Sequence, residues 1–230
     1  MMSRYSFISS MNEKYYDKCG HTLLSTFSKF NPSQILYLYN EGFSPQYNNV
    51  HLQGWSLGKD YDQFQLTWPE KSPVSKFAKK GFSIIHAMNT IECDYLIWID
   101  ADCEIKKEFD QNFLDSVANK KILSSHFSVW HTKDNKSYHS CETGFFVLNK
   151  NHSRFNDFKN IYTQIYVNQE IENLRRFYDG EVYGETVNRL DGKWMNNLNT
   201  GKHKTPMPRS IIKDYISHYK GKSLKGKVFN

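Results

Sequence analysis

Two aspartates one residue apart, Asp100 and Asp102, close the apolar run Tyr95–Ile99 in the stretch YLIWIDADCEI. Side chains two apart on a strand point the same way, so both carboxylates can converge on one cation. Paired carboxylates at the edge of a core are costly alone, and a divalent metal with oxygen ligands removes that cost. A phosphate can complete the coordination of such a metal. Two solvated turn acids are the plain alternative for any Asp-x-Asp, but here the pair follows a buried strand.

The elements around the pair set its position. Tyr5–Ser9 reads as a first strand, Asn12–Phe30 as a helix, and Gln34–Asn40 as a second strand. Residues 43–72 read as loop, bounded by Pro69 and Pro73, and Ser75–Thr90 as a helix with Phe77, Phe82, Ile85 and Met88 on one stripe. After YLIWI come a short helix over Phe109–Ala118 and strands over Ile122–Trp130 and Gly144–Asn149. Helices follow over Asn151–Phe177 and Val182–Leu190, then a loop-like basic end. Alternating strands and helices predict an α/β fold with a mostly parallel central sheet flanked by helices. In such sheets ligands sit outside the carboxyl ends of the strands, where Asp100 and Asp102 fall.

Composition narrows the class. The 230 residues are 39% hydrophobic and 23% charged, as in an ordinary globular protein, and suffice for one domain. No apolar run reaches the length of a membrane span, and the start MMSRYSFISS lacks an apolar signal segment, so the expected location is cytoplasmic. Cys19, Cys93, Cys103 and Cys141 lie far apart without a CxxC, which argues for reduced thiols rather than disulfides or zinc. The net charge is +6, and from Lys202 onward eight Lys/Arg face one acid, Asp214. That end is either a solvated tail or a site for an anion such as a phosphate, nucleotide or nucleic acid.

WIDADCEI resembles the Asp-x-Asp motif of glycosyltransferases with the GT-A fold. Cys141–Asn149, CETGFFVLN, resembles the Gly-then-apolar strand that follows the motif in these enzymes, and lies about forty residues downstream. His218-Tyr-Lys-Gly-Lys222 resembles the late His-x-x-Gly…Lys motif of the glycogenin-like group, family 8, although its lysine is one position after the glycine rather than three.

The resemblance implies a single GT-A-like (Rossmann-like) domain over 1–230. Residues 1–105 would form the nucleotide-binding half, 106–200 the acceptor half and 201–230 a basic C-terminal lid. It implies a nucleotide-sugar donor, by preference a UDP-sugar, and Mn2+ or Mg2+ held by Asp100, Asp102 and His218. An imidazole in the set favours manganese. Donor-binding residues implied by it are Ser9, Tyr15, Lys76, Lys80, Asp100, Thr143, Gly144, Gly221 and Lys222, with Lys225 an alternative for the diphosphate. Asp179 and Glu181 would contact the sugar or activate the acceptor hydroxyl. One candidate acceptor is a modified base of phage DNA, in which case the chain acts in the host cytoplasm; a saccharide and a lipid headgroup are the other choices. Two other classes compete: a nucleic-acid-binding protein without catalysis, and a nucleotidyltransferase. The first lacks a helix-turn-helix, zinc-finger or RRM signature, and the second lacks its Gly-Ser signature.

Overall fold

The computed structural model describes residues 4–54, 56–69, 72–131, 137–192, 194–199 and 210–220. Strand β1 spans Tyr5–Asn12, the short helix α1 Glu13–Tyr15, a π-helical turn Tyr16–Gly20 and α2 His21–Phe30. Then come β2 (Leu36–Glu41), β3 (Val50–Leu52), α3 (Lys59–Thr67) and α4 (Pro73–Thr90). β4 (Tyr95–Ile99), β5 (Cys103–Ile105), α5 (Gln111–Val117), β6 (Leu123–His131) and β7 (Ser137–Asn149) follow. The chain continues through α6 (Phe155–Val167), a 3-10 turn Glu170–Asn173, α7 (Asp179–Arg189), β8 (Met195–Asn197) and β9 (Ile216–His218).

Seven strands form one sheet in the order β3-β2-β1-β4-β7-β6-β8, mostly parallel and flanked by helices. β7 is the exception, antiparallel to both β4 and β6. YLIWI is a central strand buried on both faces, as its apolar run requires. Leu96 and Trp98 point into a core with Phe82, Tyr166 and Tyr183. Ile97 and Ile99 point into a second core with Phe27, Phe109 and Phe113 on the opposite face. The two sequence halves divided at residue 105 share this sheet, because β4 pairs with β7 from Tyr95↔Asn149 to Ile99↔Phe145.

Several element boundaries differ from the sequence reading. Residues 43–72 are not all loop: α3 forms there with Tyr61 and Phe64 buried. Pro73 stands in the first turn of α4, where its missing N–H costs nothing, and the Ser72 hydroxyl accepts from Ser75 N at 3.1 Å. The expected long helix 151–177 stops at Val167, because Gln169 turns left-handed at φ 58°. α7 begins three residues earlier than expected, at Asp179.

Residues 210–220 correct the expectation of a loop-like, polar end. Ile212 and Ile216 are fully or almost fully buried, and the Tyr215 ring stacks on Phe113 at 3.9 Å. β9 pairs antiparallel with β5, bringing Cys103 opposite His218 and Ile105 opposite Ile216. Among the described residues, no helix is long and apolar enough to cross a membrane.

Candidate metal and donor site

β4 ends at Ile99, so Asp100 and Asp102 stand in the turn joining β4 to β5, not on the strand as the period-two argument supposed. The turn is closed by Cys103 N donating to Asp100 O at 3.1 Å, and Asp100 N donates to Gly144 O at 2.8 Å. Convergence therefore comes from the turn and from β9. The imidazole Nε2 of His218 lies 3.1 Å from Asp102 Oδ1 and 3.9 Å from Asp100 Oδ2. Tyr219 N donates to Asp102 O at 3.0 Å and the Tyr219 hydroxyl donates to Glu104 at 2.5 Å, which fasten the residue after His218 to the turn and to β5.

Asp102 is only 5% exposed, a buried carboxylate rather than a solvated turn acid. The Tyr15 hydroxyl donates to its Oδ2 at 3.3 Å. Burial and the nearby Asp102 charge push the Tyr15 phenol up. Burial works against a proton on His218, but its bond to Asp102 and the charges of Asp100, Asp102 and Glu142 outweigh it and raise its basicity.

A second charge cluster adjoins the first. Lys80, on α4, donates to Asp100 Oδ1 at 2.6 Å and to the Thr143 carbonyl at 2.8 Å, and pairs with Asp179 Oδ2 at 2.7 Å. Its ammonium sits 4.9 Å from the Trp98 ring centroid. Burial opposes the charge, but the two carboxylates hold the Lys80 pKa above the usual lysine range. Burial pushes Asp100 up even against Lys80. Asp179 is also buried, yet Lys80, the Thr143 hydroxyl at 2.5 Å and the Gly180 N–H hold it low.

The donor set fits a divalent cation. With Asp100 Oδ1 engaged by Lys80 and by Trp98 Nε1 at 2.6 Å, Oδ2 faces His218. Asp102, Cys103 and His218 offer ligand atoms within 4.8 Å of one another. Cys103 is the poorer ligand of these: burial pushes its thiol well up, and its Sγ donates to Gly144 O at 3.7 Å. His218 Nδ1 is buried and lies 3.6 Å from Glu142 Oε1, long for a hydrogen bond, so the carboxylate orients the ring without saturating it.

The other expected site residues are spread more widely. Thr143 and Gly144 line the cluster, while Glu181 stands at the edge of an adjoining cleft. Lys76 is exposed one turn before Lys80, with its ammonium 5.6 Å from the Phe77 ring. Ser9 is fully buried inside β1, which runs on to Asn12 instead of turning at Ser9. Gly221, Lys222 and Lys225 lie outside the described residues, as does most of the expected lid. Sequence reasoning missed Trp98 and Glu142. Trp98 is two residues before Asp100, a spacing that could have found it; Glu142 had no such signal, since only the packing of the β5–β9 pair against β7 brings it near His218.

No protein-family model and no curated protein matches the chain. Solved structures do match its fold. An active-site mutant of LgtC aligns over 93% of this chain and 86% of its own, with 11% identity and a TM-score of 0.57. Mouse xyloside xylosyltransferase 1 aligns over 85% of each chain, with 12% identity and a TM-score of 0.54. The bifunctional glycosyltransferase WbbM aligns with 11% identity and a TM-score of 0.56 over 97% of this chain, which spans 47% of WbbM. The fold is therefore that of the GT-A-type glycosyltransferases.

Proposed function

We propose that this chain is a metal-dependent glycosyltransferase, similar to the glycogenin-like group, that moves a sugar from a nucleotide-sugar, by resemblance a UDP-sugar, to an acceptor hydroxyl. The observation that carries the reading is the meeting of Asp100, Asp102 and His218 at the end of β4, made by the β5–β9 pairing within a GT-A-type fold. One solved neighbour, the galactosyltransferase LgtC, is described in complex with donor and acceptor sugar analogues.

Asp100 Oδ2, Asp102 and His218 would hold Mn2+ or Mg2+, which supplies Lewis-acid neutralisation of a donor diphosphate. Lys80 fixes Asp100 and Asp179 to one ammonium, so the carboxylates are preorganised before a donor arrives. Asp179, held by Lys80 and Thr143, is suited to orienting sugar hydroxyls. Glu181, on the cleft and without that pairing, is suited to take the acceptor proton. In the transfer the acceptor oxygen bonds to the anomeric carbon and the diphosphate leaves with the bonding electron pair. Residues 1–230 would act as one unit, with residues 210–220 packed into it and carrying His218 to the site. Four cysteines, all unpaired and buried, support action in the cytoplasm. A base of phage DNA as acceptor rests on the +6 charge.

Thermal-shift measurements with UDP-glucose, UDP-galactose and UDP-N-acetylglucosamine test the donor reading. A shift that needs Mn2+ and vanishes with chelator is expected; no shift with any of them would count against it.

A further inference from the structure

Beside the metal cluster lies an open cleft of about 660 Å³, a size suited to a small ligand. Glu142, Thr143 and Asp179 line it, so it opens onto the same groups that surround His218 and Lys80. Two aromatic rings also line it. Phe77 from α4 and Tyr178 from the start of α7 meet edge to face, with centroids 4.9 Å apart. Tyr178 is 48% exposed, a large ring left open to solvent where a core would have covered it.

We propose that Phe77 and Tyr178 form the acceptor wall, and that the acceptor is a neutral carbohydrate whose ring face lies against Tyr178; this rests on the glycosyl-transfer reading above. A sugar presents C–H groups on its faces and hydroxyls around its edge. The cleft matches that division, with rings on one wall and the carboxylates of Glu142 and Glu181 and the guanidinium of Arg176 around it. The wall is set on rigid structure. A Cβ on Gly180 would come 2.3 Å from the Cys141 carbonyl oxygen, so the first turn of α7 is pressed directly against β7. Tyr178 O also accepts from Glu181 N at 3.0 Å, tying the ring's residue into that turn.

The charges disfavour a nucleic acid here, although a base would also stack on Tyr178. Lys220 is paired with Glu142 at 2.9 Å and Asp179 with Lys80 at 2.7 Å, which among the described lining residues leaves Arg176 and Glu181, and no basic stripe along the cleft. A phosphate backbone would meet these acids at close range, whereas a neutral saccharide would not.

Saturation-transfer NMR with lactose, cellobiose and maltose, and separately with a single-stranded oligonucleotide, tests the assignment in the presence of UDP and Mn2+. At least one disaccharide is expected to bind, with about tenfold weaker binding for Tyr178→Ala and recovery in Tyr178→Phe, which keeps the ring. Binding of no disaccharide, binding indifferent to Tyr178→Ala, or Tyr178-dependent binding of the oligonucleotide instead would overturn it. UDP-sugar hydrolysis by the unaltered chain separates the two readings. Hydrolysis without disaccharide binding overturns the acceptor wall alone. Disaccharide binding without hydrolysis of any UDP-sugar overturns the transferase reading, and the acceptor role with it.

Discussion

Gly144 lies directly beneath the imidazole of His218: a Cβ added there would come 2.7 Å from His218 Cε1 and 2.8 Å from Nδ1. The glycine is needed for close approach rather than for backbone freedom. Gly144→Ala must push the ring away from Asp102. The expected result is a loss of Mn2+ affinity of roughly tenfold or more, as for other residues that orient a metal ligand. Isothermal titration of the variant with Mn2+ measures it; unchanged affinity would mean that His218 is not a ligand.

Lys80 is shared by Asp100 and Asp179, and its side chain is 12% exposed. Lys80→Met leaves the buried carboxylate of Asp179 and the half-buried one of Asp100 without their cation, and should cost about 3–5 kcal/mol of stability. Adding Asp179→Asn should recover part of that loss. Urea denaturation of the unaltered chain, Lys80→Met, Asp179→Asn and the double variant is the check, and additive losses would contradict a shared ammonium.

The segment 210–220 should behave as core. Ile212 is fully buried, so Ile212→Ala should cost about 2–4 kcal/mol and lower the melting temperature clearly. A negligible shift would restore the reading of this end as loop-like and outside the core.

His126 gives stability a pH dependence. It is fully buried and neither ring nitrogen has a partner among the described residues. Burial pulls its pKa from 6.5 to about 4, with His218 adding to the effect and Glu142 opposing it. Above the unfolded value both states are neutral. As pH falls below it the unfolded chain takes up a proton that the folded chain refuses, so stability is lost between about pH 6.5 and 4. The loss from neutral pH to about pH 4.5 should be on the order of 2–3 kcal/mol. His126→Leu should flatten this part of a pH series of urea unfolding curves; an unchanged slope would remove His126 as the cause.

Much of the fold was legible because strong patterns mark it. YLIWI reads as a central strand because apolar residues on both faces of a strand leave few other fates, and the stripe of α4 needs little context. What was missed depends on long-range contact. β5 and β9 are three residues each, too short to carry a periodic signal, and each becomes a strand only through the other. The carboxylates of Asp100 and Asp102 were legible as a pair, but their geometry comes from a turn, and the burial of Asp102 comes from Tyr15 and His218. Lys80 was legible as a basic residue near the site; its bond to Asp179 required the packing of α4 beside α7.

The most direct test of the central claim is UDP-sugar hydrolysis or transfer by the unaltered chain with Mn2+, with excess chelator, and by Asp102→Asn. The account predicts turnover with Mn2+, none with chelator, and none from Asp102→Asn while its far-UV circular dichroism stays that of the unaltered chain. Full turnover by Asp102→Asn in excess chelator would contradict it.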